Sequence, residues 1–536
     1  MLAWPAMRQR RFWGWGYEDV SPSETELGML EAALTGMLGM RSAEPQARPQ
    51  IEEIVLRDPR AALPASLGEL CDASPLSRAS HSFGKSYRDI VRGFDRNFDN
   101  PPDIVAYPKS EADVARILDA CAEARIAVIP FGGGSSVCGG VEPVASENYQ
   151  GTLSLDLAKL DQVLEVDATS RAARVQAGVL GPALEAQLKP HGLTLRHYPQ
   201  SFEFSSLGGW IATRAGGHFA TVYTHIDDLV QSMRVVTPTG ILETRRLPGS
   251  GAGPDPNRLF LGSEGTLGVI TEAWMRLFER PTFRAKASFR FEDFGAGTNA
   301  LRHLAQSGLF PSNARLLDPV EAMLNGAGDG SHALLLVGFE SHDHTLGAWL
   351  ERAVELCRGC GGKASDADIV PNVESSSKDG AGGAWRRAFL RAPYLRDELV
   401  ARGVFVETFE TAVTWDRFDE LHARVIAAAR AVVGQQAAVT CRVTHAYPDG
   451  AAPYFTVIAP ARRRDELAQW RDIKAAITDA MLAAGGTTTH HHAVGRDFRP
   501  FYEREVPQPF QNAMRAARAA LDPRGILNPG VLFAGA

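Results

Sequence analysis

Residues 127–136 read AVIPFGGGSS. A short apolar strand that runs straight into Gly132, Gly133 and Gly134 marks a place where the backbone must approach something closely, because three residues without a Cβ suit neither helix nor strand. Two partners fit. One is the chain's own backbone in a tight turn. The other is a pyrophosphate, cradled by free amides, with the hydroxyls of Ser135 and Ser136 as added donors. The stretch is not the dinucleotide fingerprint GxGxxG, because VEPVASENYQGTLSL, which follows, reads as loop and strand rather than helix. It also lacks the lysine of a Walker loop.

The surroundings alternate helix and strand. Before the glycines, Ser110 and Asp113 resemble a capping box, and Val114, Ile117, Leu118 and Cys121 share one helical face. After them, TLSLDL (152–157) and AARVQAG (172–178) have the period of two of half-buried strands, and 230–246 reads as a hairpin around Pro238-Thr239-Gly240. From about residue 282 a second alternation begins, with a strand in HALLLVGFE (332–340), a helix in LGAWLERAVELC (346–357) and a low-complexity loop in SSSKDGAGG (375–383). Residues 1–95 read as helical and irregular, with a proline-rich connector over 44–64.

A chain of 536 residues is expected to hold two or three domains. Its 56 basic and 63 acidic side chains, net −7, argue against a nucleic-acid-binding surface. Six cysteines do not make a disulfide framework at this length, so a cytoplasmic protein is expected. Cys357 and Cys360 form a single CxxC, without the second pair that zinc requires. No apolar run is long enough to span a membrane. The N-terminal FWGWGY, with arginines beside Trp13, Trp15 and Tyr17, is either an arm packed on the protein's own body or a membrane-surface contact.

Three further segments join the first glycine loop: PQSFEFSSLGGWIATRAGGHF (199–219), GSEGTLGVITEA (262–273) and DPRGILNPG (522–530). Occurring in this order, they resemble the flavoenzymes of the vanillyl-alcohol oxidase and p-cresol methylhydroxylase type. The resemblance implies an α+β fold, with a two-subdomain FAD-binding unit and a separate α+β substrate cap. The implied division is an N-terminal segment (1–95), an FAD-binding domain (96–281), a cap (282–488) and a C-terminal segment (489–536) returning to the flavin. It also implies that FAD lies against Pro130, Phe131, Gly132, Gly133, Gly134, Ser135 and Ser136 of the first loop. From the second loop it would meet Pro199, Gln200, Ser201, Glu203, Ser205, Thr213, Arg214 and Gly216, and from the third Glu264, Gly265, Thr266, Gly268, Val269 and Ile270. Some members tether flavin through a histidine in the first loop; this loop has none, so non-covalent FAD is expected.

Within that family, FWGWGYEDV, SFEFSSLGGWIATRAGG, CRVTHAYPDGAAPYFTV (441–457) and THHHAVGR (489–496) are similar to segments of the alkyldihydroxyacetonephosphate synthases. The resemblance implies exchange of the fatty acid of acyl-dihydroxyacetone phosphate for a fatty alcohol, through a flavin N5 adduct and without net redox change. A lipid phosphate and a fatty alcohol are then the small-molecule partners, with peripheral membrane contact and a homodimer as further expectations. Arg396 and Arg315 match substrate-site arginines. A guanidinium suits bidentate phosphate contact, and the plain alternative for Arg396 is a surface pair with Asp397. Tyr454 matches an acid–base tyrosine. His490, His491 and His492, read as extended, place the first and third on one face; they suit an acid–base cluster, core packing or a metal. No HxxxH or HxH–carboxylate set supplies a third metal ligand, so no metal is expected. Ala493 stands where the family pattern has glycine, and Ser206-Leu207 where it has Thr-Val. The alternative function is an FAD-dependent dehydrogenase or oxidase of a 2-hydroxy acid such as D-lactate.

Overall fold

The computed structural model describes residues 8–40, 44–219, 225–372 and 392–534. The SSSKDGAGG loop lies outside the described residues. The strand that feeds the glycines, Ile126–Phe131, is flanked by the parallel strand Gly151–Asp156, which in turn pairs in parallel with Ile104–Ala106. Ile126–Phe131 and Ile104–Ala106 read as apolar runs, whereas Gly151–Asp156, whose alternation suggested a half-buried strand, is buried throughout because it lies between them. Helix Glu111–Ala124 covers them with Val114, Ile117, Leu118 and Cys121, and the Ser110 side chain caps it by accepting from the Asp113 amide. A second, five-stranded antiparallel sheet holds Val163–Asp167, Ala172–Gln176, Val269–Arg276, Val230–Thr237 and Gly240–Glu243 in that order. The two sheets share one apolar core. The chain closes on the first of them, where the Asn528 amide donates to Val128 O (2.8 Å) and its side-chain amide to Gly140 O and Glu264 O.

The cap is an antiparallel sheet whose strand order begins Ile369–Val370, Phe283–Phe291, Ala333–Ser341, Asn313–Leu317 and continues Ala438–Ala446, Gly450–Pro460, Val404–Glu410. Its alternation decides everything that follows. On the last three strands Phe405, Phe409, Cys441, Val443, Phe455 and Val457 point into a core shared with the helices Phe294–Ala305, Gly347–Gly359 and Phe418–Val433. The residues between them (Val406, Thr408, Arg442, Thr444, Tyr454, Thr456) face a cavity.

The N-terminal arm packs on the body of the protein. Phe12, Trp13 and Trp15 are buried, so they are not available to a membrane surface. Arg11 makes a wholly buried ion pair with Asp397 at 3.2 Å, and the Trp15 amide donates to the same carboxylate at 2.9 Å. A Cβ on Gly14 would lie 2.5 Å from Asp397 Oδ2, and one on Gly16 (φ +87°) 2.3 Å from the Tyr394 ring. The glycines of WGWGY are therefore demanded by the segment they lie against. After the arm, helix Glu24–Leu38 starts from a capping box between Ser23 and Glu26. Among the described residues no helix is long and apolar enough to cross a membrane.

Candidate active site

The first and second glycine loops interlock. A Cβ on Gly132 would lie 2.1 Å from Ser206 Oγ, and one on Gly133 only 1.7 Å from Phe204 O. Gly134 turns with φ +67°, over the ring of Phe131. Arg10 reaches in from the arm and ties the loops together, donating to Gly133 O (2.7 Å) and Phe204 O (3.2 Å). The glycines thus approach their own chain on one side and line a cavity on the other.

That cavity has a volume of about 560 Å³. Gly132 to Ser136, Pro199, Gln200, Ser201, Ser205, Thr213 and Gly216 line it, and so do Arg315, Arg396, Tyr454, His491 and His492. The remaining flavin-loop residues lie outside the lining. Pro130 and Phe131 support the first loop, Glu203 accepts from the Tyr394 hydroxyl, and Arg214 pairs with Asp227. Gly265 is pressed on Pro130 and Gly268 on Val235, while Thr266 bonds within its own loop and Val269 and Ile270 pair in the sheet. Leu30, Leu34 and Met37 of the N-terminal helix and Leu399, Val406 and Ile458 add an apolar set to the lining of the same cavity.

The histidine run is not extended. It curls so that three consecutive amides converge on one buried carboxylate: His490 N to Glu410 Oε2 at 2.6 Å, His491 N to both oxygens at 3.1 Å, and His492 N to Oε1 at 2.9 Å. The Thr489 hydroxyl donates there too. Burial works against a charge on Glu410, but the positive charge that His491, His492 and His490 take up in acid and the hydrogen bond from the Thr489 hydroxyl outweigh it, and the carboxyl is held well below its usual range. Burial pushes His491 and His492 down to about 4, with Glu410 pulling the other way, and pushes His490 well down. All three imidazoles are accordingly neutral at pH 7. The next two amides, Val494 and Gly495, donate to a second buried carboxylate, Glu264 of the third flavin loop, at 2.9 and 2.8 Å. Ala493, between the two anchors, has φ +71°, which explains a glycine at this position in the family pattern.

Register brings Tyr454 into this group. Tyr454 lies directly opposite Glu410 on one neighbouring strand and opposite Arg442 on the other. The Arg442 guanidinium sits 3.9 Å from the centre of the Tyr454 ring and donates to Glu321 Oε1 at 2.6 Å. The Tyr454 ring stacks on His491 (6.0 Å) and meets His492 edge-on (5.6 Å). Arg396 approaches Glu407 at 3.8 Å and not its neighbour Asp397, which serves Arg11 instead. Arg315 is buried and donates to His218 O at 3.1 Å.

Sequence reasoning missed Glu410, Arg442, His445, Tyr447 and His225. His445 is the third imidazole that spacing could not reveal: its donor atoms and those of His490 and His491 lie within 4.8 Å of one another. The arrangement is that of a hydrogen-bonded imidazole network. His445 Nε2 faces a carbonyl, Gly217 O, at 2.9 Å and must carry hydrogen there, while Nδ1 meets Thr444 Oγ1 at 3.0 Å.

Residues 102–245 match the family model "FAD binding domain", and 280–532 match "FAD linked oxidases, C-terminal domain". The alkyldihydroxyacetonephosphate synthase of Dictyostelium discoideum is 33% identical over 491 residues, covering 85% of this chain and 77% of that protein. The glycolate oxidase subunit GlcD of Bacillus subtilis (strain 168) is 28% identical over 446 residues, 82% and 90% of the two chains. A solved alkyldihydroxyacetonephosphate synthase superposes with a TM-score of 0.81 at 26% identity over 97% of both chains. p-Cresol methylhydroxylase shares the fold, with a TM-score of 0.67 at 16% identity over 95% of this chain and 97% of that one.

Proposed function

This chain belongs to the alkyldihydroxyacetonephosphate synthase family of FAD-linked enzymes, and on that premise we propose that it exchanges the acyl group of an acyl-dihydroxyacetone phosphate for a fatty alcohol. One observation carries the reading. A single cavity is lined by glycines, by Arg315, Arg396 and Arg442, by Tyr454, His491 and His492, and by an apolar set, and an amphiphilic phosphoester uses all four. A short 2-hydroxy acid has no use for the apolar set.

The cradle fits FAD: its glycines leave no room for side chains, and its amides and serine hydroxyls suit a pyrophosphate. With no histidine in the first loop, the cofactor is held without a covalent bond. When bound, flavin supplies a conjugated ring that takes and returns electron density at the reacting carbon.

The protein's own side chains do the rest. Arg396 and Arg315 bind and orient the phosphate, the fork of Arg396 giving two parallel contacts. The bond between the substrate carbon and the acyl oxygen breaks, a carboxylate leaves, and a bond to the alkoxy oxygen forms. A proton must leave that carbon and later return, and the alcohol must lose its own. Tyr454 Oη and the neutral imidazoles of His491 and His492 handle these protons, while Arg442 fixes the Tyr454 ring. The alkyl chains lie against Leu30, Leu34, Met37 and Ile458.

The test is anaerobic mixing of the holoprotein with palmitoyl-dihydroxyacetone phosphate and hexadecanol, then separately with D-lactate. Expected are an alkyl ether product and no lasting two-electron bleaching of the flavin. Full bleaching by D-lactate with no ether product would overturn the reading.

A further inference from the structure

The N-terminal arm precedes both segments that match flavoenzyme families, yet it reaches the flavin loops. It is a small hairpin, in which Arg10 bridges to Tyr17 and the Arg11 amide donates to Gly16 O at 3.0 Å. The hairpin clasps Phe204 of the second glycine loop. The Tyr17 and Trp15 rings lie 5.4 and 6.0 Å from the Phe204 ring centre, and the Arg10 guanidinium lies 5.5 Å from it. Trp15 itself lines the cavity.

Arg10 grips two peptide groups by their oxygens, Gly133 O at 2.7 Å and Phe204 O at 3.2 Å. A third is held through one intermediary. Trp15 Nε1 donates to Lys85 O at 3.0 Å, and the Lys85 amide donates to Ser136 O at 2.7 Å. No peptide bond is cis among the described residues, and a trans peptide points its N–H opposite to its C=O. The amides of Gly134, Val137 and Ser205 therefore point away from the groups that hold their carbonyl partners, and all three residues line the cavity. Amides presented in this way are what a pyrophosphate needs.

The charge agrees with the geometry. Arg8 and Arg11 each pair with an aspartate, whereas among the described residues no carboxylate lies within 4.0 Å of the half-buried Arg10 guanidinium. A cation on the carbonyl side of a peptide polarises it and makes the N–H on the other side a stronger donor. A diphosphate bound by those amides offsets a positive charge that the protein leaves uncompensated.

We propose that Arg10 is a cofactor-positioning residue, and that docking of the N-terminal arm and binding of FAD are coupled, each strengthening the other by the same factor. The inference rests on the reading of the two glycine loops as the pyrophosphate site. A packing role for the arm, such as that of Trp13 on Phe94, needs no such dependence on the cofactor.

The experiment uses the full-length chain stripped of FAD, as wild type and as R10A, R10K and R8A. It reads the dissociation constant for FAD, and the rate of trypsin cleavage after Arg11 with and without FAD. R10A should weaken FAD binding about 10- to 100-fold. R10K should weaken it less, because lysine keeps the charge but not the fork that spans two carbonyls. Saturating FAD should slow cleavage after Arg11 in the wild type by a comparable factor, and in R10A by much less. R8A, whose pair with Asp19 lies at the surface, should match the wild type in both readings. FAD affinity in R10A within about twofold of wild type, or wild-type cleavage indifferent to FAD, would overturn the coupling and leave the loops standing as the flavin site. A wild-type chain that binds no FAD would remove that reading as well. Apoprotein unfolding is followed alongside, and if R10A does not fold, R10K decides between a weakened and an unchanged affinity.

Discussion

Two buried carboxylates grip the same six-residue stretch, and they do it in opposite electrostatic states. Glu410, from the cap, takes the amides of His490, His491 and His492 together with a hydroxyl, and is held ionised. Glu264, from the flavin half, takes only the amides of Val494 and Gly495. Burial there prevails over those two donors and pushes its carboxyl up to about 7. Two amide donors do not compensate for complete loss of water; three with a hydroxyl, beside imidazoles that become cationic in acid, do. The cap therefore holds the histidines at any ordinary pH, whereas the flavin half holds their continuation through a group that changes state near neutrality.

Removing the stronger grip should do the most damage. E410A leaves three buried amides without an acceptor, at about 1–3 kcal/mol each. Turnover should fall about 10³-fold and holoprotein stability by at least about 3 kcal/mol, read by ether formation and denaturant unfolding. A loss of stability with normal turnover would mean that the histidines keep their places without it. Y454F removes a hydroxyl from the same row without touching the anchor, and should cost 10²–10⁴-fold in turnover with FAD retained. Combined with H491A it should cost little more than the worse single change, since groups acting as one unit are not additive.

The weaker grip makes a prediction about pH. The folded-state value of Glu264 is raised, so the folded protein keeps a proton that the unfolded chain gives up. Stability should then decrease as pH rises from about 4.5 to about 7, by about 3 kcal/mol in total from this group. E264Q should lack that portion of the slope when unfolding is measured at pH 5 and pH 8. Glu410 has the opposite sign: its contribution is present above the usual carboxylate range and is lost only in stronger acid. The smallest effect belongs to the residue between the grips. A493G relieves a left-handed alanine, and a gain of about 1 kcal/mol with unchanged turnover is expected. A loss of turnover would show that the strain serves the site.

The two carboxylates also show what a sequence can reveal. Glu264 stands in GSEGTLGVIT, a glycine-bearing segment with a recognisable pattern. Glu410 ends FVETFE, which reads as any strand, and nothing local says that its last residue will collect amides 80 residues onward. The glycine loops, the helical face of 111–124 and the alternating strands were legible because short-range periodicity specifies them. The shape of the histidine run was not, because a distant carboxylate bends it. Arg442, His445 and Tyr447 lie within CRVTHAYPDG, the segment that pointed to Tyr454. Their roles depend on strand register, which sequence alone leaves open.

The arm that ties both flavin loops has a further consequence, for the order in which the molecule is made. Arg10 finds Gly133 and Phe204 at separations of 123 and 194 residues, and Arg11 finds Asp397 only 386 residues later. At roughly 5–20 residues per second, residue 397 leaves the ribosome about 20–80 seconds after the arm does. During that interval Arg11 and the Trp15 amide have no Asp397 carboxylate to meet, although Phe94 and Phe204, against which Trp13 and Trp15 pack, are already synthesised. The first part of the arm to be translated is among the last to dock. Nascent chains stopped short of residue 397 should leave the bond after Arg11 open to trypsin, whereas those extended past it should protect it.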